Sequence, residues 1–403
     1  MPGSERDRDG SGDGVSAALP HGRVVMTANE AAAYAVMLAR VRAIGCYPIT
    51  PQTLIVERLA ELVAGRDDVE YAQLESEHSM FGYVVAAARA GVRTFTATSS
   101  QGLLYASEQL HRASRERVPL VIVNVNRAVF APWSIEPDLS DSMSQRDAGW
   151  IQLYCASAQE VLDSILCAYR IAETALLPVM VCAEGFLLSH TSEVLDVPDQ
   201  ATVDAFIPEL RPPDDWVLDP SRPRLFSSLP EPNDYYAFQR RVADAMDDAR
   251  SVIAAVSSEF TSHFGREKIG ALELTGNPDA DTALVAIGTI ADSAQELLAD
   301  DDDLLVVRVH TFRPFPAAEL SSALARASYV SVVDRAPAFG SFGPLGGDVR
   351  SLDLRHVEAA ANFICGLGGV EVTPATLRWA LNQTRASGAQ GASLGPVYVP
   401  EGV

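Results

Sequence analysis

The amino-acid sequence predicts an α/β protein with a larger and a smaller domain, each built on βαβ units. Apolar, strand-like runs alternate with helical segments, which indicates a mostly parallel sheet covered by helices on both faces. The chain has 403 residues, of which 48% are apolar, and this is enough for the buried cores of two or three domains. A proline-rich stretch, residues 198–232, separates the two groups of units.

The charge balance makes some partners unfavourable. The sequence has 53 acidic and 31 basic residues, so its formal net charge is -22. A surface this negative repels the phosphates of nucleic acids and of anionic lipids, so neither nucleic acid nor a membrane is expected as a partner. No apolar run reaches the ~18–20 residues of a membrane span. We therefore expect a cytoplasmic protein.

The cysteines form no recognisable motif. There are five, an odd number, and none of them is part of a CxxC pair. They are Cys46, Cys155, Cys167, Cys182 and Cys365. This pattern argues against a disulfide framework, a zinc site or an iron–sulfur cluster carried by this chain.

Composition divides the chain into segments. Residues 1–24 are rich in Gly, Ser, Asp and Arg, and we expect a disordered tail there rather than a signal peptide. Residues 25–197 are assigned to the first α/β domain, residues 198–278 to a linker arm with a long helix, and residues 279–395 to the second domain. The long helix is predicted over residues 235–258.

The first domain begins with a capping box. Thr27 and Glu30 have the spacing that opens a helix, and the apolar spacing predicts that helix over residues 32–44, ending at Gly45. Further helices are predicted over residues 52–64, 81–90 and 103–112, and strands over residues 68–74, 94–100, 118–126 and 177–183.

The second domain repeats the alternation on a smaller scale. Its predicted strands cover residues 282–287, 304–309 and 329–333, and its predicted helices cover residues 292–298, 319–327 and 374–382. The glycine-rich loop from Ala338 to Gly347 lacks the GxGxxG and GK[ST] spacings, so it gives little support to a nucleotide site.

Candidate functional residues follow the strands of the first domain. Thr50, Glu77, the turn at residues 99–102 and Arg127 each lie just past a predicted strand. In parallel sheets, ligands bind beyond the carboxyl ends of the strands. The coincidence predicts one ligand site at this edge of the sheet.

Thr50 and Glu77 each have a structural alternative. Thr50 lies between Pro48 and Pro51, which predict a rigid, extended corner with a free hydroxyl, but the same pattern also describes a plain turn. Glu77 begins a helix, where the helix dipole alone favours a carboxylate. In a functional role, Glu77 would face a ring nitrogen of a cofactor and share a proton with it.

Arg127 and the turn before it also allow two interpretations. A permanently charged guanidinium at the end of a buried strand needs an anion, which is either a substrate carboxylate or a structural partner such as Asp147. The hydroxyls of residues 98–102 either resemble a phosphate cradle or cap the next helix. A hydrolase is not supported, because no GxSxG elbow occurs and no motif links a histidine to a serine.

Several short motifs occur in a fixed order along both domains. In the first domain they are YPITP from Tyr47, ESEH from Glu75, TATSSQG from Thr96, NRA from Asn126 and SQRDAGW from Ser144. In the second domain they are FRPFP from Phe312, VDR from Val333 and NFICGLGG from Asn362. Together they resemble the α subunits of 2-oxoacid:ferredoxin oxidoreductases, and the pyruvate-type enzyme most closely. The resemblance covers nearly the whole chain apart from the tail.

The resemblance implies a pyrimidine-binding domain for thiamine diphosphate, followed by a transketolase C-terminal-like domain. Glu77 matches the glutamate that hydrogen-bonds N1′ of the aminopyrimidine, and a partly desolvated carboxylate can hold that proton. Thr50 and Arg127 match the residues that bind the carboxylate of the 2-oxo acid. The remaining residues expected at the cofactor are Tyr47, Pro48, Ser99, Ser100 and Gln101.

The implied reaction is the oxidative decarboxylation of pyruvate or a similar small 2-oxo acid. Its products are acyl-CoA, formed from coenzyme A, and CO2, with the electrons passed to ferredoxin or flavodoxin. The GDG at residues 12–14 lies in the tail and is a chance match, so a β subunit is expected to supply the site for the diphosphate and its Mg²⁺. Iron–sulfur clusters are expected on γ and δ subunits or on a fused partner chain.

Other functions stay open at this point. A thiamine-dependent transketolase or 2-oxoacid dehydrogenase β chain has the same domain order but does not reduce ferredoxin. An inactive regulatory or assembly subunit would not need Thr50, Glu77 and Arg127. Glu136 and Asp138 follow Arg127, and their charges would oppose a second substrate carboxylate, which favours a monocarboxylic 2-oxo acid over 2-oxoglutarate.

Overall fold

The structure is a computed structural model, and it describes residues 19–213, 216–226, 228–266, 270–388, 394–400 and 402–403. The strands are β1 (Gly22–Thr27), β2 (Ala43–Cys46), β3 (Glu70–Gln73), β4 (Thr94–Thr98), β5 (Val121–Asn126), β6 (Ile151–Tyr154), β7 (Val179–Glu184), β8 (Ser192–Val197), β9 (Leu272–Gly276), β10 (Thr282–Ile287), β11 (Leu304–Val309), β12 (Thr311–Arg313), β13 (Tyr329–Asp334), β14 (Ala359–Ile364) and β15 (Leu394–Tyr398). The α-helices are α1 (Ala28–Leu38), α2 (Thr53–Val63), α3 (Glu77–Arg89), α4 (Ser100–Tyr105), α5 (Ser107–Arg115), α6 (Ser140–Met143), α7 (Ala158–Ala175), α8 (Gln200–Phe206), α9 (Pro232–Phe264), α10 (Thr289–Gln295), α11 (Ala317–Ala323), α12 (Pro344–Arg350) and α13 (Pro374–Gly388). Short 3₁₀ helices cover Glu296–Ala299 and Leu367–Gly369.

The first sheet has seven strands in the order β12-β6-β7-β5-β4-β2-β3. All neighbours run parallel except β12, which pairs with β6 in the antiparallel direction. Val121 and Val123 of β5 share an apolar core with α1 and α7, whereas Ile122 packs on the opposite face with α3 and α5. The predicted parallel sheet with helices on both faces is therefore confirmed.

The second sheet has six strands in the order β15-β14-β13-β10-β11-β9. It is parallel except for β9, which pairs antiparallel with β11. One face packs against α10 and α13, and the other face contributes Ala283 and Val285 to the core that contains α3 and α5 of the first domain. The two sheets therefore share a core.

The first helix is shorter than predicted. The apolar spacing predicted one helix over residues 32–44, but α1 ends at Leu38 and the chain re-enters the sheet as β2. Because β2 is buried between β3 and β4, it is apolar on both faces, and such a run resembles a buried helix. Gly45 lies in β2 and lets α3 approach, since a Cβ there would be 3.2 Å from the carbonyl oxygen of Met80.

Other elements also differ from the sequence prediction. Strand β1 starts at Gly22, inside the segment predicted as a tail, and pairs with β8 in a separate antiparallel sheet. The GDG at residues 12–14 lies outside the described residues. Part of the predicted glycine-rich loop forms α12, and β6 and α7 were not predicted. The long helix α9 has 33 residues and extends beyond residues 235–258 at both ends.

The described residues contain no helix long and apolar enough to cross a membrane. Within the same ranges, no group of three or more His, Cys, Asp or Glu side chains is placed to hold a metal ion. All five cysteines are free thiols.

Candidate active site at the strand ends of the first sheet

The predicted site residues follow adjacent parallel strands. Strands β3, β2, β4 and β5 are neighbours in the first sheet and run in the same direction. Thr50 follows β2, Glu77 follows β3, Ser99 follows β4 and Arg127 follows β5. The topology therefore brings these residues to one edge of the sheet.

Glu77 is the first residue of α3 and is only 7% exposed. Ser76 already caps the helix, because its Oγ accepts a hydrogen bond from the Ser79 amide nitrogen at 3.2 Å. Burial raises the pKa of Glu77, and its own backbone amide is the group that opposes this shift. No cation in the described part of the chain pairs with the carboxylate, so Glu77 holds a proton more readily than an exposed glutamate does.

Helix α4 begins in contact with Glu77. A Cβ at Gly102, the third residue of this helix, would lie 2.6 Å from Glu77 Oε1 and 2.5 Å from Thr98 Oγ1. Any side chain at this position would displace one of the two groups. Glycine thus allows the β4–α4 turn to approach the carboxyl group.

The β4–α4 turn contains buried polar atoms that no described residue satisfies. They are Thr98 Oγ1, Ser99 Oγ and Gln101 Nε2. Ser99 precedes α4 but its side chain does not cap the helix, so the capping alternative is wrong for this residue. Buried polar groups are normally hydrogen-bonded. These atoms lie in a turn that contacts the buried Glu77 carboxyl group, and they are free to donate or accept hydrogen bonds. They could therefore bind the polar atoms of a flat ring such as an aminopyrimidine.

Arg127 is buried at the end of β5, but its guanidinium forms no salt bridge within the described residues. Its Nη1 donates to the Thr50 carbonyl oxygen at 2.9 Å, and its Nε donates to the Ser134 carbonyl oxygen at 3.1 Å. Nη2 makes no hydrogen bond to any described residue. The Trp133 ring centroid lies 5.4 Å from the guanidinium carbon. Asp147 is exposed, and its Oδ2 lies 4.0 Å from Nε of Arg146. Asp147 is therefore not the structural partner of Arg127 that the sequence suggested.

The contact between Arg127 and Thr50 joins the ends of β5 and β2. Thr50 is exposed, and its hydroxyl makes no hydrogen bond within the described ranges. Burial lowers the pKa of Arg127, but this pKa starts so high that the side chain stays charged. The arrangement can therefore bind an anion between a hydroxyl group and a guanidinium held by neutral carbonyl groups.

The other predicted cofactor residues differ in their contacts. The Ser100 hydroxyl donates to the Ala128 carbonyl oxygen at 2.7 Å, so it is used within the protein. The Tyr47 carbonyl oxygen accepts a hydrogen bond from Gln52 Nε2 at 2.8 Å, which closes the loop that leads to Thr50. Pro48 is exposed on that loop.

Asp141 in α6 was not predicted from the sequence. It is fully buried, and its carboxylate accepts hydrogen bonds from the backbone amides of Ser100 and Arg127 at 2.9 and 3.1 Å. Burial raises its pKa to about 6, and the surrounding N–H donors act in the opposite direction. The sequence does not reveal this role, because most of the partners of Asp141 lie in or after other strands and are distant from it along the chain.

Comparisons with protein families place both domains. Residues 34–258 match the family described as pyruvate flavodoxin/ferredoxin oxidoreductase, thiamine diP-binding. Residues 280–377 match the pyruvate:ferredoxin oxidoreductase core domain II. These matches lie in the same order as the two sheets.

Solved structures with low sequence identity share the fold. A 2-oxoglutarate:ferredoxin oxidoreductase from Magnetococcus marinus aligns with a TM-score of 0.69 at 18% identity, over 91% of this chain and 65% of that chain. A split-gene transketolase, described as an inactive β4 tetramer, aligns with a TM-score of 0.53 at 13% identity, over 90% of this chain and 98% of that chain. At these identities the likeness concerns the fold alone.

Curated relatives are much closer in sequence. The pyruvate synthase subunit PorA of Methanothermobacter thermautotrophicus is 44% identical over 89% of this chain and 94% of its own length. The ketoisovalerate oxidoreductase subunit VorA of Pyrococcus horikoshii is 40% identical over 87% of this chain and 90% of its own length. The chain therefore belongs to the family of 2-oxoacid:ferredoxin oxidoreductase α subunits.

Proposed function

We propose that the chain is the α subunit of an enzyme that oxidatively decarboxylates pyruvate or a similar small 2-oxo acid. The products are acyl-CoA and CO2, and the electrons pass to ferredoxin or flavodoxin. The observation that carries this proposal is that two buried ionisable groups, one basic and one acidic, lie at the same edge of the first sheet. Within the described residues, Arg127 is a guanidinium that forms no salt bridge, and Glu77 is a carboxyl group that pairs with no cation.

Arg127 and Thr50 are suited to the carboxylate of a 2-oxo acid. The guanidinium is held in place by the carbonyl oxygens of Thr50 and Ser134, and no carboxylate of the described residues forms a salt bridge with it. Charge-assisted hydrogen bonds to a carboxylate are stronger than those between neutral groups. The exposed Thr50 hydroxyl can donate to the same carboxylate or to the adjacent carbonyl group.

Glu77 is suited to the pyrimidine end of thiamine diphosphate. When bound, this cofactor supplies the nucleophilic carbon and stabilises the negative charge that remains after the loss of CO2. Glu77 would hold a proton at N1′, and the raised pKa that burial gives it favours that role. The unpartnered atoms of Thr98, Ser99 and Gln101 are available to the rest of the ring.

The remaining components would come from other subunits. We propose that a β subunit binds the diphosphate and its Mg²⁺, and that γ and δ subunits or a fused chain carry the iron–sulfur clusters. The subunit names of the relatives support a multi-subunit enzyme. Coenzyme A as the acyl acceptor and a cytoplasmic location belong to the same proposal.

We also propose a preference for monocarboxylic 2-oxo acids. Glu136 is exposed in the loop after Arg127, and its negative charge would oppose a second carboxylate. Asp138 is buried, and its Oδ1 accepts a hydrogen bond from the Ser140 amide at 2.9 Å, so its contribution would be weaker. The test compares pyruvate, 2-oxoisovalerate and 2-oxoglutarate in the assembled enzyme. Higher kcat/KM for 2-oxoglutarate than for pyruvate would contradict this preference.

The main test is to purify the chain together with its partner subunits and to assay 2-oxo acids against ferredoxin. We expect ferredoxin reduction that depends on the 2-oxo acid, on thiamine diphosphate and on coenzyme A. A transketolase or a lipoamide-linked dehydrogenase would not reduce ferredoxin.

Glu77→Gln then tests the role of the carboxyl group. A glutamine cannot hold the proton at N1′, so we expect an assembled complex whose kcat is lower by about 10²- to 10⁴-fold. The control is Glu75→Gln on the preceding exposed turn, which should retain wild-type kcat. An unchanged rate in Glu77→Gln would favour the assembly-subunit alternative.

A further inference from the structure

We propose that Asp141 is a positioning residue that fixes the substrate-binding Arg127 relative to the cofactor-facing β4–α4 turn. The proposal rests on the function proposed above, and it concerns a residue that contacts neither ligand. Asp141 would act through the backbone of the residues that do.

The contacts of Asp141 connect separate strand ends. Oδ2 accepts from the Ser100 amide at 2.9 Å, from the Arg127 amide at 3.1 Å and from Asn124 Nδ2 at 3.0 Å. Oδ1 accepts from Asn126 Nδ2 at 2.8 Å and from the Ser142 amide at 2.7 Å. One carboxylate therefore joins the end of β5 to the first residue of α4.

All of these partners are N–H donors, and this determines the chemistry required at position 141. An ionised carboxylate only accepts hydrogen bonds, so it can satisfy every donor. An asparagine would direct its own NH2 group at some of them and leave buried donors unpaired. The site therefore needs an aspartate rather than a polar residue of the same size.

The Ser100 amide links Asp141 to Glu77. Ser100 has a φ of +48°, a left-handed conformation that is uncommon for residues other than glycine. The hydrogen bond to Asp141 favours this conformation, which sets the direction in which α4 leaves the strand. Two residues later, Gly102 stands against Glu77 Oε1. A shift of Ser100 would therefore move the turn that contacts Glu77.

The Arg127 amide provides the second link. Its hydrogen bond to Asp141 fixes the main chain from which the guanidinium extends towards the Thr50 carbonyl oxygen. Loss of the carboxylate should consequently affect 2-oxo acid binding and cofactor binding together. A residue that only stabilises the core would lower the melting temperature without this combined effect.

The test compares Asp141→Asn with Asp334→Asn in the assembled enzyme. Asp334, at the end of β13 in the second domain, is a matched control because it is also a buried aspartate whose partners are N–H donors. Its carboxylate accepts hydrogen bonds from the Leu345 and Gly346 amides at the start of α12 and from Asn362 Nδ2. The measurements are KM for pyruvate, kcat, the Kd for thiamine diphosphate from tryptophan fluorescence, and Tm.

We expect Asp141→Asn to raise both KM and the cofactor Kd at least tenfold and to lower kcat. Asp334→Asn should lower Tm but leave KM and Kd within twofold of the wild type. If Asp141→Asn does not assemble, Asp141→Glu, which keeps the charge but displaces it, carries the same expectation with a smaller change. The proposal would be overturned if the Asp141 variant that assembles keeps KM and Kd within twofold of the wild type. It would also be overturned if neither Asp141 variant assembles.

The same experiment separates this proposal from the proposed function. If the wild-type enzyme does not turn over any 2-oxo acid, the proposed function fails, and the positioning role fails with it. If the wild type is active and the Asp141 variants match it, only the positioning role fails.

Discussion

Gly102 shows how a single residue can determine the distance between two elements of the site. Its missing side chain leaves room for Glu77 Oε1 and Thr98 Oγ1, both of which an added Cβ would meet within 2.6 Å. Contacts this short cannot be accommodated without movement of the carboxyl group or of the helix. The position of Glu77 therefore depends on a residue with no chemistry of its own.

We expect Gly102→Ala to lower kcat at least tenfold while the complex still assembles, because the added methyl group displaces the Glu77 carboxyl group. The control is Gly82→Ala in α3, where the added Cβ would meet only Gln109 atoms at 4.0 Å. Alanine in a helix is favoured over glycine by about 0.5–1 kcal/mol, so the control should retain kcat and gain slightly in Tm. Steady-state kinetics and calorimetry on both variants test this. A kcat for Gly102→Ala equal to that of Gly82→Ala would contradict the expectation.

At the scale of elements, the loop between β5 and α6 is held from both domains. Its Ala128 amide donates to the Glu136 carbonyl oxygen at 3.1 Å within the loop. From the second domain, the Gly369 amide donates to the Pro137 carbonyl oxygen at 2.8 Å, and the Arg335 carbonyl oxygen accepts from the Leu139 amide at 2.9 Å. The loop that carries the Arg127 contacts is thus shaped partly by the second domain.

We expect Gly369→Ala to raise KM for the 2-oxo acid severalfold and to leave the thiamine diphosphate Kd unchanged. Gly369 has a φ of +83°, and an added Cβ would lie 2.6 Å from Glu136 Cβ, so the substitution should displace the loop but not the cofactor side. Gly347→Ala in α12 is the control, since nothing lies within 4 Å of its added Cβ. A rise in the cofactor Kd in parallel with KM would argue against this division of roles.

At the scale of the whole molecule, buried polar contacts join the two domains. Arg308 of β11 makes hydrogen bonds to Glu160 of α7 at 2.6 and 2.7 Å, and it also pairs with Glu273. Glu184 at the end of β7 accepts from the Thr289 amide at 2.9 Å and pairs with Arg335. Strand β12, which follows β11 in the chain, completes the first sheet. The domains are therefore expected to unfold together.

His310 lies in this interface and should make the stability of the protein sensitive to acid. Its Nε2 is 3.3 Å from Ser164 Oγ, and burial lowers its pKa from 6.5 to about 4. The positive charge of Arg308 also lowers this pKa, whereas the negative charges of Glu160 and Glu273 raise it. The unfolded state thus binds more protons between pH 4 and 6.5, so the stability contributed by neutral His310 is lost as pH falls through this range. The pKa shift corresponds to about 3 kcal/mol.

We expect the Tm of the wild type to fall more than that of His310→Gln when the pH is lowered from neutral to about 4.5, because glutamine does not titrate. Asp163 in the same region has a pKa raised by burial to about 6 and acts in the opposite direction, but it is common to both proteins. Thermal unfolding at several pH values measures the difference. Parallel decreases in Tm would contradict the assignment.

Much of the fold and part of the site could be predicted from the sequence. The apolar strands β5, β10 and β11 and the helices α10 and α11 were predicted within a few residues, because their patterns are local. The site edge followed from a rule about parallel strands, which needs only the order of the elements. The first two residues of β2, Ala43 and Ile44, were assigned to a helix, since a strand buried on both faces lacks the alternation that identifies strands.

By itself, the sequence determined the two α/β domains, the family and the residues at the strand ends, because motifs and apolar periodicity are properties of neighbouring residues. Only the tertiary structure decided that Asp147 does not pair with Arg127, that Asp141 joins Ser100 to Arg127, and that β12 completes the first sheet. These contacts join residues from separate elements. Their formation depends on how the elements pack, and no local pattern records that.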